Sequence, residues 1–320
     1  MTLQEQIRSN RLRSLIAIFG FALLLGVIGG LIGLLFDLSL GVVALVGAGL
    51  YGIFALIRSR TMVARMTHAE QVPDESLRPL RNLLENVSIG AGLPVTPELR
   101  LVDDPAPNAF AAGLRPQTSY VGVTTGLLRT MPKRELEAVL AHEVTHIRQR
   151  DTYLMTVATV FAGVIALIAD IGFRAIVFGG GRSSRRGGAL VFIVALIGLV
   201  LAPYAALLLR MSLSRRREFL ADAGAAEILS DPEAMALALQ RLKQDETTLH
   251  YADASVAHLW VESPTDRVDS ERSGVNALSR LFNTHPPLDA RIAALEEAGG
   301  FELADTLPAD TPFAAEMGLS

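Results

Sequence analysis

His142-Glu143-Val144-Thr145-His146 sets two imidazoles four residues apart, with a carboxylate beside the first. On an α-helix, positions i and i+4 lie one above the other, so both rings can reach one ion at about 2.0–2.1 Å. Glu143 is rotated by about a hundred degrees from His142 and cannot share that ligand position. It is placed instead to take a proton from a metal-bound water. The flanking Leu136, Val139, Leu140 and Ile147 make this helix amphipathic, with the HExxH pattern on a half-buried surface.

A catalytic site of this kind takes three protein ligands and leaves one position open. The chain has no cysteine, so every ligand must be His, Asp or Glu. Ile147, Arg148, Gln149 and Arg150 follow His146, which excludes the extended HExxHxxGxxH form. The third ligand therefore comes from elsewhere, and a carboxylate is the expected type. "SLSRRREFLADAGAA" (212–226) offers Glu218 and Asp222, four apart on one helix face. Glu218 can complete a His2Glu set, and Asp222 can hydrogen-bond a ligating imidazole and fix its tautomer. The same two residues also fit a solvated acidic pair balanced by Arg215, Arg216 and Arg217. Helix chemistry alone does not separate the two. His68, His250 and His258 have no partner at ligand spacing and read as surface or packing residues, and Trp260 reads as a packing anchor.

The elements that must position these residues are unevenly distributed. Half of the 320 residues are hydrophobic, only 6% are aromatic, and the mean hydropathy is +0.37. The apolar excess concentrates in four runs, Ser14 to Phe36, Leu38 to Ile57, Thr152 to Ala169 and Ala189 to Leu209. Runs of that length point to a membrane protein with two apolar hairpins rather than a large soluble core. The first run is too long for a signal-peptide core and a second follows at once, so it is expected to be a retained anchor. A net charge of −4 supplies no basic field for nucleic acid.

Between the runs the chain has soluble character. Helical spacing marks Ser76 to Val87, and "ELRLVDD" (98–104) and "TSYVGVTTG" (118–126) read as strands. "PAPNAFAAGLRP" reads as an edge strand or loop. The HExxH helix is expected to start at Thr130 or Met131 and to run to about Arg150, with Pro132 in its first turn. Further helices are expected over Ser212 to Leu229, from Pro232 to Lys243, and at the end of "NTHPPLDARIAALEEA" (283–298).

The expected class is therefore mainly α with a small β-sheet (α+β). A transmembrane hairpin (1–57) is followed by a first catalytic part (58–151), a second hairpin (152–209), a second catalytic part (210–300) and a loosely ordered tail (301–320). If both hairpins enter and leave on one side, the two soluble parts meet in one compartment. Arginines 8, 11, 13, 58, 60, 65, 210 and 215–217 flank the spans there, which makes that side cytoplasmic. Arg182, Arg185 and Arg186 in the outer loop run against this assignment.

HExxH after an "NAFA" segment, then an apolar hairpin, then "SRRREFLADAGA", then "THPPLDARI", is similar to the HtpX-type membrane proteases, which share a zinc metallopeptidase family with the CAAX prenyl proteases. The resemblance covers nearly the whole chain to about Leu295. It implies a multi-pass protein of the inner (plasma) membrane, one Zn2+ per chain, and membrane proteins or exposed polypeptide segments as substrates in quality control or stress response. It makes Glu218 the third zinc ligand and Asp222 the residue behind a ligating imidazole. It makes Asn108, Ala109, Phe110 and Ala111 the strand along which substrate lies, and His285 a stabiliser of the oxyanion. The outer loop is shorter and richer in arginine than in many relatives, and the oligomeric state is open. Two other classes remain, a CAAX-type enzyme acting on lipidated peptides and a membrane scaffold with a structural metal. Four apolar runs rather than a larger membrane chamber argue against the first, and Glu143 with an open fourth position argues against the second.

Overall fold

Leu80, Leu83, Leu84 and Val87 recur at helical spacing and are all buried, which fixes one face of the helix Arg78–Gly90 against the rest of the chain. The computed structural model describes residues 38–73, 75, 77–161, 215–250, 259–261 and 286–318, with isolated positions between 8 and 23. In chain order the helices are α1 (Leu38–Ile57), α2 (Ser59–Met66), α3 (Arg78–Gly90), α4 (Thr125–Thr130), α5 (Lys133–Arg148), α6 (Arg215–Leu229), α7 (Pro232–Gln244), α8 (Leu288–Gly299) and α9 (Phe313–Glu316). The strands are β1 (Glu70–Gln71), β2 (Glu98–Val102), β3 (Ala109–Ala112) and β4 (Tyr120–Thr124). The described chain is thus mainly helical with one small mixed sheet, as expected for the α+β class.

The sheet order is β1-β2-β4-β3, with β2 and β4 parallel and both outer pairs antiparallel. Central β4 is buried at every position. Phe110 stands opposite Gly122, where a Cβ would lie 2.2 Å from the Phe110 ring, so only glycine lets that ring cross β4. "NAFAA" is the edge strand, and all four residues of β3 are buried.

The strand expected to reach residue 126 stops at Thr124, whose hydroxyl accepts from the Leu127 amide at 3.1 Å and caps α4. The HExxH helix starts later than expected, at Lys133. Met131 is extended (φ −89°, ψ 128°), as the residue before a proline is pushed to be, and Pro132 is the N-cap.

α5 is buried from Leu136 to Ile147 apart from residue 137, and α3, α6, α7 and β3 all pack on it. The segments before and after the second apolar stretch are also tied by charge. Arg241 makes a bidentate pair with Glu135 at 2.6 and 2.8 Å, and Arg134 holds both Asp231 and Glu233 at 2.7 Å.

The tail expected to be loosely ordered instead packs on the core. Phe313 and Ala314 are buried, the Phe313 amide donates to Met131 O at 2.8 Å, and Pro312 bridges Pro132. Phe313 joins Met131 in the same buried apolar cluster.

Among the residues with described side chains, no helix is long and apolar enough to cross a membrane. α1 is nevertheless twenty residues of uncharged sequence, and it exposes Leu38, Val42, Val43, Val46, Leu50 and Ile53. The expected runs 14–36 and 189–209 lie wholly or largely outside the described residues, as do His285 and the loop 179–188, while the run 152–169 is described as far as residue 161.

Candidate metal centre and active site

α5 and α6 cross at Thr145 and Gly224. A Cβ on Gly224 would lie 2.5 Å from Thr145 Cγ2, so glycine is what permits this approach. The crossing brings Glu218, near the start of α6, over the two histidines of α5. Nε2 of His142 and Nε2 of His146 are 3.2 Å apart. Glu218 Oε2 lies 3.7 Å from the first, and Oε1 lies 3.7 Å from the second. Donors held at about 2.0–2.1 Å by a tetrahedral ion stand about 3.3 Å from one another. The cluster fits that spacing, and it is the one group of its kind among the described residues. All three side chains are buried.

The outer nitrogen of each imidazole meets an aspartate. Asp222 Oδ1 is 2.9 Å from His142 Nδ1, and Asp151 Oδ2 is 3.1 Å from His146 Nδ1. A carboxylate there favours the Nδ1–H tautomer and leaves the Nε2 lone pair pointing at the centre. Asp222 is buried beside His142, the arrangement that the family resemblance implied and that helix spacing alone left open. Asp151 escaped sequence reasoning, because it looks like the end of a helix. The chain breaks after α5 at Arg150, in the left-handed region (φ 63°), and so returns Asp151 to His146, five residues back.

Arg291 on α8 was also missed. It is fully buried and clamps Asp222 with Nη2 to Oδ1 at 2.6 Å and Nε to Oδ2 at 2.8 Å. Its Nη1 lies 3.7 Å from Glu218 Oε2. The signal was present in "LDARIAAL", where Arg291 falls on the same helix face as Leu288 and Leu295, a stripe on which a charge demands a partner.

Burial governs the protonation of the site. It raises Glu143 to about 8; His146 and Arg291 pull against this, Glu218 adds to it, and the Ala111 amide donates to the carboxylate. Burial holds His142 below its ordinary range despite Asp222. For His146, burial is outweighed by Asp151 and Glu218, which push it up to about 9. For Asp222, burial is outweighed by Arg291, which keeps its carboxyl low and charged. A buried carboxyl with a raised pKa beside a cation-binding cluster can both accept and return a proton near neutral pH.

Of the expected substrate strand, Asn108 precedes β3 and Ala109, Phe110 and Ala111 lie within it, against α5. The Asn108 side chain accepts from the Ala109 amide at 3.0 Å.

Residues 76–299 match the family model for peptidase family M48. The chain is 37% identical over 308 residues to a protease HtpX homolog of Listeria monocytogenes serotype 4a, covering 91% of this chain and 98% of that protein. A protease HtpX homolog of Limosilactobacillus fermentum is 38% identical over 306 residues, covering 92% of this chain and 99% of the relative. One from Ligilactobacillus salivarius is 34% identical over 302 residues, again covering 92% and 99%. No solved structure matches the chain. With the two histidines of a buried HExxH helix joined by Glu218 of α6 in one cluster, the chain belongs to peptidase family M48 and is a metalloprotease that hydrolyses peptide bonds.

Proposed function

We propose that His142, His146 and Glu218 hold one zinc ion and that the protein is a membrane-anchored endopeptidase. Its substrates are extended segments of membrane proteins. The observation that carries the metal assignment is the set of donor separations, 3.2, 3.7 and 3.7 Å, close to those around a tetrahedral ion. Two imidazoles and a carboxylate suit zinc best among the common divalent ions. When bound, zinc acidifies a coordinated water and polarises the scissile carbonyl.

The protein's own groups do the rest. Glu143 takes a proton from the attacking water and delivers it to the departing amide nitrogen. Asp222 and Asp151 keep both imidazoles oriented, and Arg291 keeps Asp222 ionised. The β3 edge offers main-chain groups to an extended peptide and so demands little of its side chains. His285, outside the described residues, is assigned the oxyanion by the family resemblance.

Anchoring follows from the exposed apolar face of α1 and from the uncharged runs of the sequence. Flanking arginines set the site towards the cytoplasm, at the bilayer surface of an inner (plasma) membrane. Such a place suits removal of damaged membrane proteins.

The test is cleavage of a casein-type substrate by detergent-purified enzyme, wild type beside Glu143→Gln. The variant keeps its zinc and loses at least about a hundredfold in kcat, the scale of one lost proton-transfer group. Equal turnover removes Glu143 from the reaction.

A further inference from the structure

β3 is the last strand of the sheet, so one of its two backbone edges faces away from β4. Thr124 N donates to Asn108 O at 3.0 Å, which turns residue 108 towards β4. By alternation the outward groups belong to Ala109 and Ala111. The Ala111 amide is held by Glu143. The Ala109 carbonyl is already occupied, because Val261 N donates to it at 3.0 Å, and Trp260 forms an antiparallel bridge with Phe110. The Val261 carbonyl in turn accepts from Arg291 Nη1 at 3.1 Å. One short segment therefore spans from the outward edge of β3 to the guanidinium that supports the metal cluster.

That is the lane in which an added peptide strand would run to reach Glu143. Trp260 anchors the segment, fully buried with its ring centroid 4.7 Å from that of Phe110. The docking is imperfect, since the indole N–H is buried and has no acceptor among the described residues.

We propose that Leu259–Val261 is an internal occupant of the substrate lane, and that Trp260 and Val261 set which chains the enzyme admits. The inference rests on β3 being the substrate edge. A peptide gains Ala109 O only by displacing Val261, so the apparent affinity is lowered by the fraction of time the segment is docked. Admitted substrates are extended chains with several consecutive backbone groups free to pair. A folded surface offers none and leaves the segment in place.

Trp260 is the only tryptophan of the chain, so its emission reports on the segment directly. Full-length zinc-loaded Glu143→Gln enzyme is titrated with a labelled, unstructured, tryptophan-free casein peptide. Anisotropy of the label reports binding, and Trp260 emission with acrylamide quenching reports exposure. The expected result is a red shift and a gain in quenching that saturate together with the anisotropy. Saturated binding with unchanged emission and quenching overturns the inference and leaves the substrate reading standing. Absence of binding removes the reading and the inference with it. In an otherwise wild-type background, Val261→Pro deletes the donor to Ala109 O. It is expected to lower KM several-fold for a short quenched-fluorescent peptide, with the zinc content measured on the same sample. An unchanged or raised KM at full zinc content contradicts the proposal.

Discussion

Asp151 Oδ2 lies 3.1 Å from His146 Nδ1, and Asp222 Oδ1 lies 2.9 Å from His142 Nδ1, so each histidine of the cluster is backed by its own carboxylate. The two aspartates come from opposite sides of the second apolar stretch. Replacing either by asparagine keeps the volume but removes the charge that fixes the imidazole. Asp151→Asn and Asp222→Asn are each expected to weaken zinc binding about 10- to 100-fold. Competition with a chromophoric chelator measures this, and wild-type affinity in Asp151→Asn would reduce that residue to a packing role.

Arg291→Met keeps most of the side-chain length but leaves Asp222 buried and charged without its partner. Breaking a buried pair on one side costs about 3–5 kcal/mol. The variant is expected to melt well below wild type and to lose zinc. The double variant Arg291→Met/Asp222→Asn removes both charges, so it should recover most of the thermal stability but not the zinc affinity. Thermal unfolding followed by circular dichroism, with and without added zinc, distinguishes the two effects.

Asp231 caps α7 through the Ala234 amide at 3.1 Å and pairs with Arg134. The hydrogen bonds from Arg134 hold its carboxyl below the ordinary range. A carboxylate lowered in the folded state stabilises above its unfolded pKa, about 4, and that contribution is lost as pH falls through the lower folded value. Asp231→Asn keeps an acceptor for the cap and loses the charge. Its melting temperature should fall below wild type at about pH 7, by an amount worth at most about 1 kcal/mol for so exposed a pair. The gap should narrow as pH falls below about 4. A gap that persists in acid would assign the effect to the cap alone.

The legible parts of the molecule were those with a period. His142, Glu143 and His146 could be placed because four residues make about one helical turn, and the α3 leucines for the same reason. β3 was readable as an edge because prolines flank it. Glu218 stood four residues from Asp222, but only the family resemblance separated a ligand from a solvated carboxylate. What escaped depends on contacts across the fold. Asp151 returns to His146 through a single left-handed residue, and Arg291 meets Asp222 only after α8 docks on α6. The pairing of Val261 with Ala109 involves too few residues to leave a strand pattern. Phe313 sits in a proline-rich tail whose only sign of order is the ring itself.

The central claim is that three side chains from two helices grip one metal ion, and zinc content in Glu218→Gln tests it most directly. Wild-type enzyme purified without added chelator is expected to carry roughly one zinc per chain, and the variant, with its circular dichroism spectrum intact, less than about a tenth of that after dialysis. Full zinc occupancy in the folded variant would place the third ligand elsewhere and contradict the account.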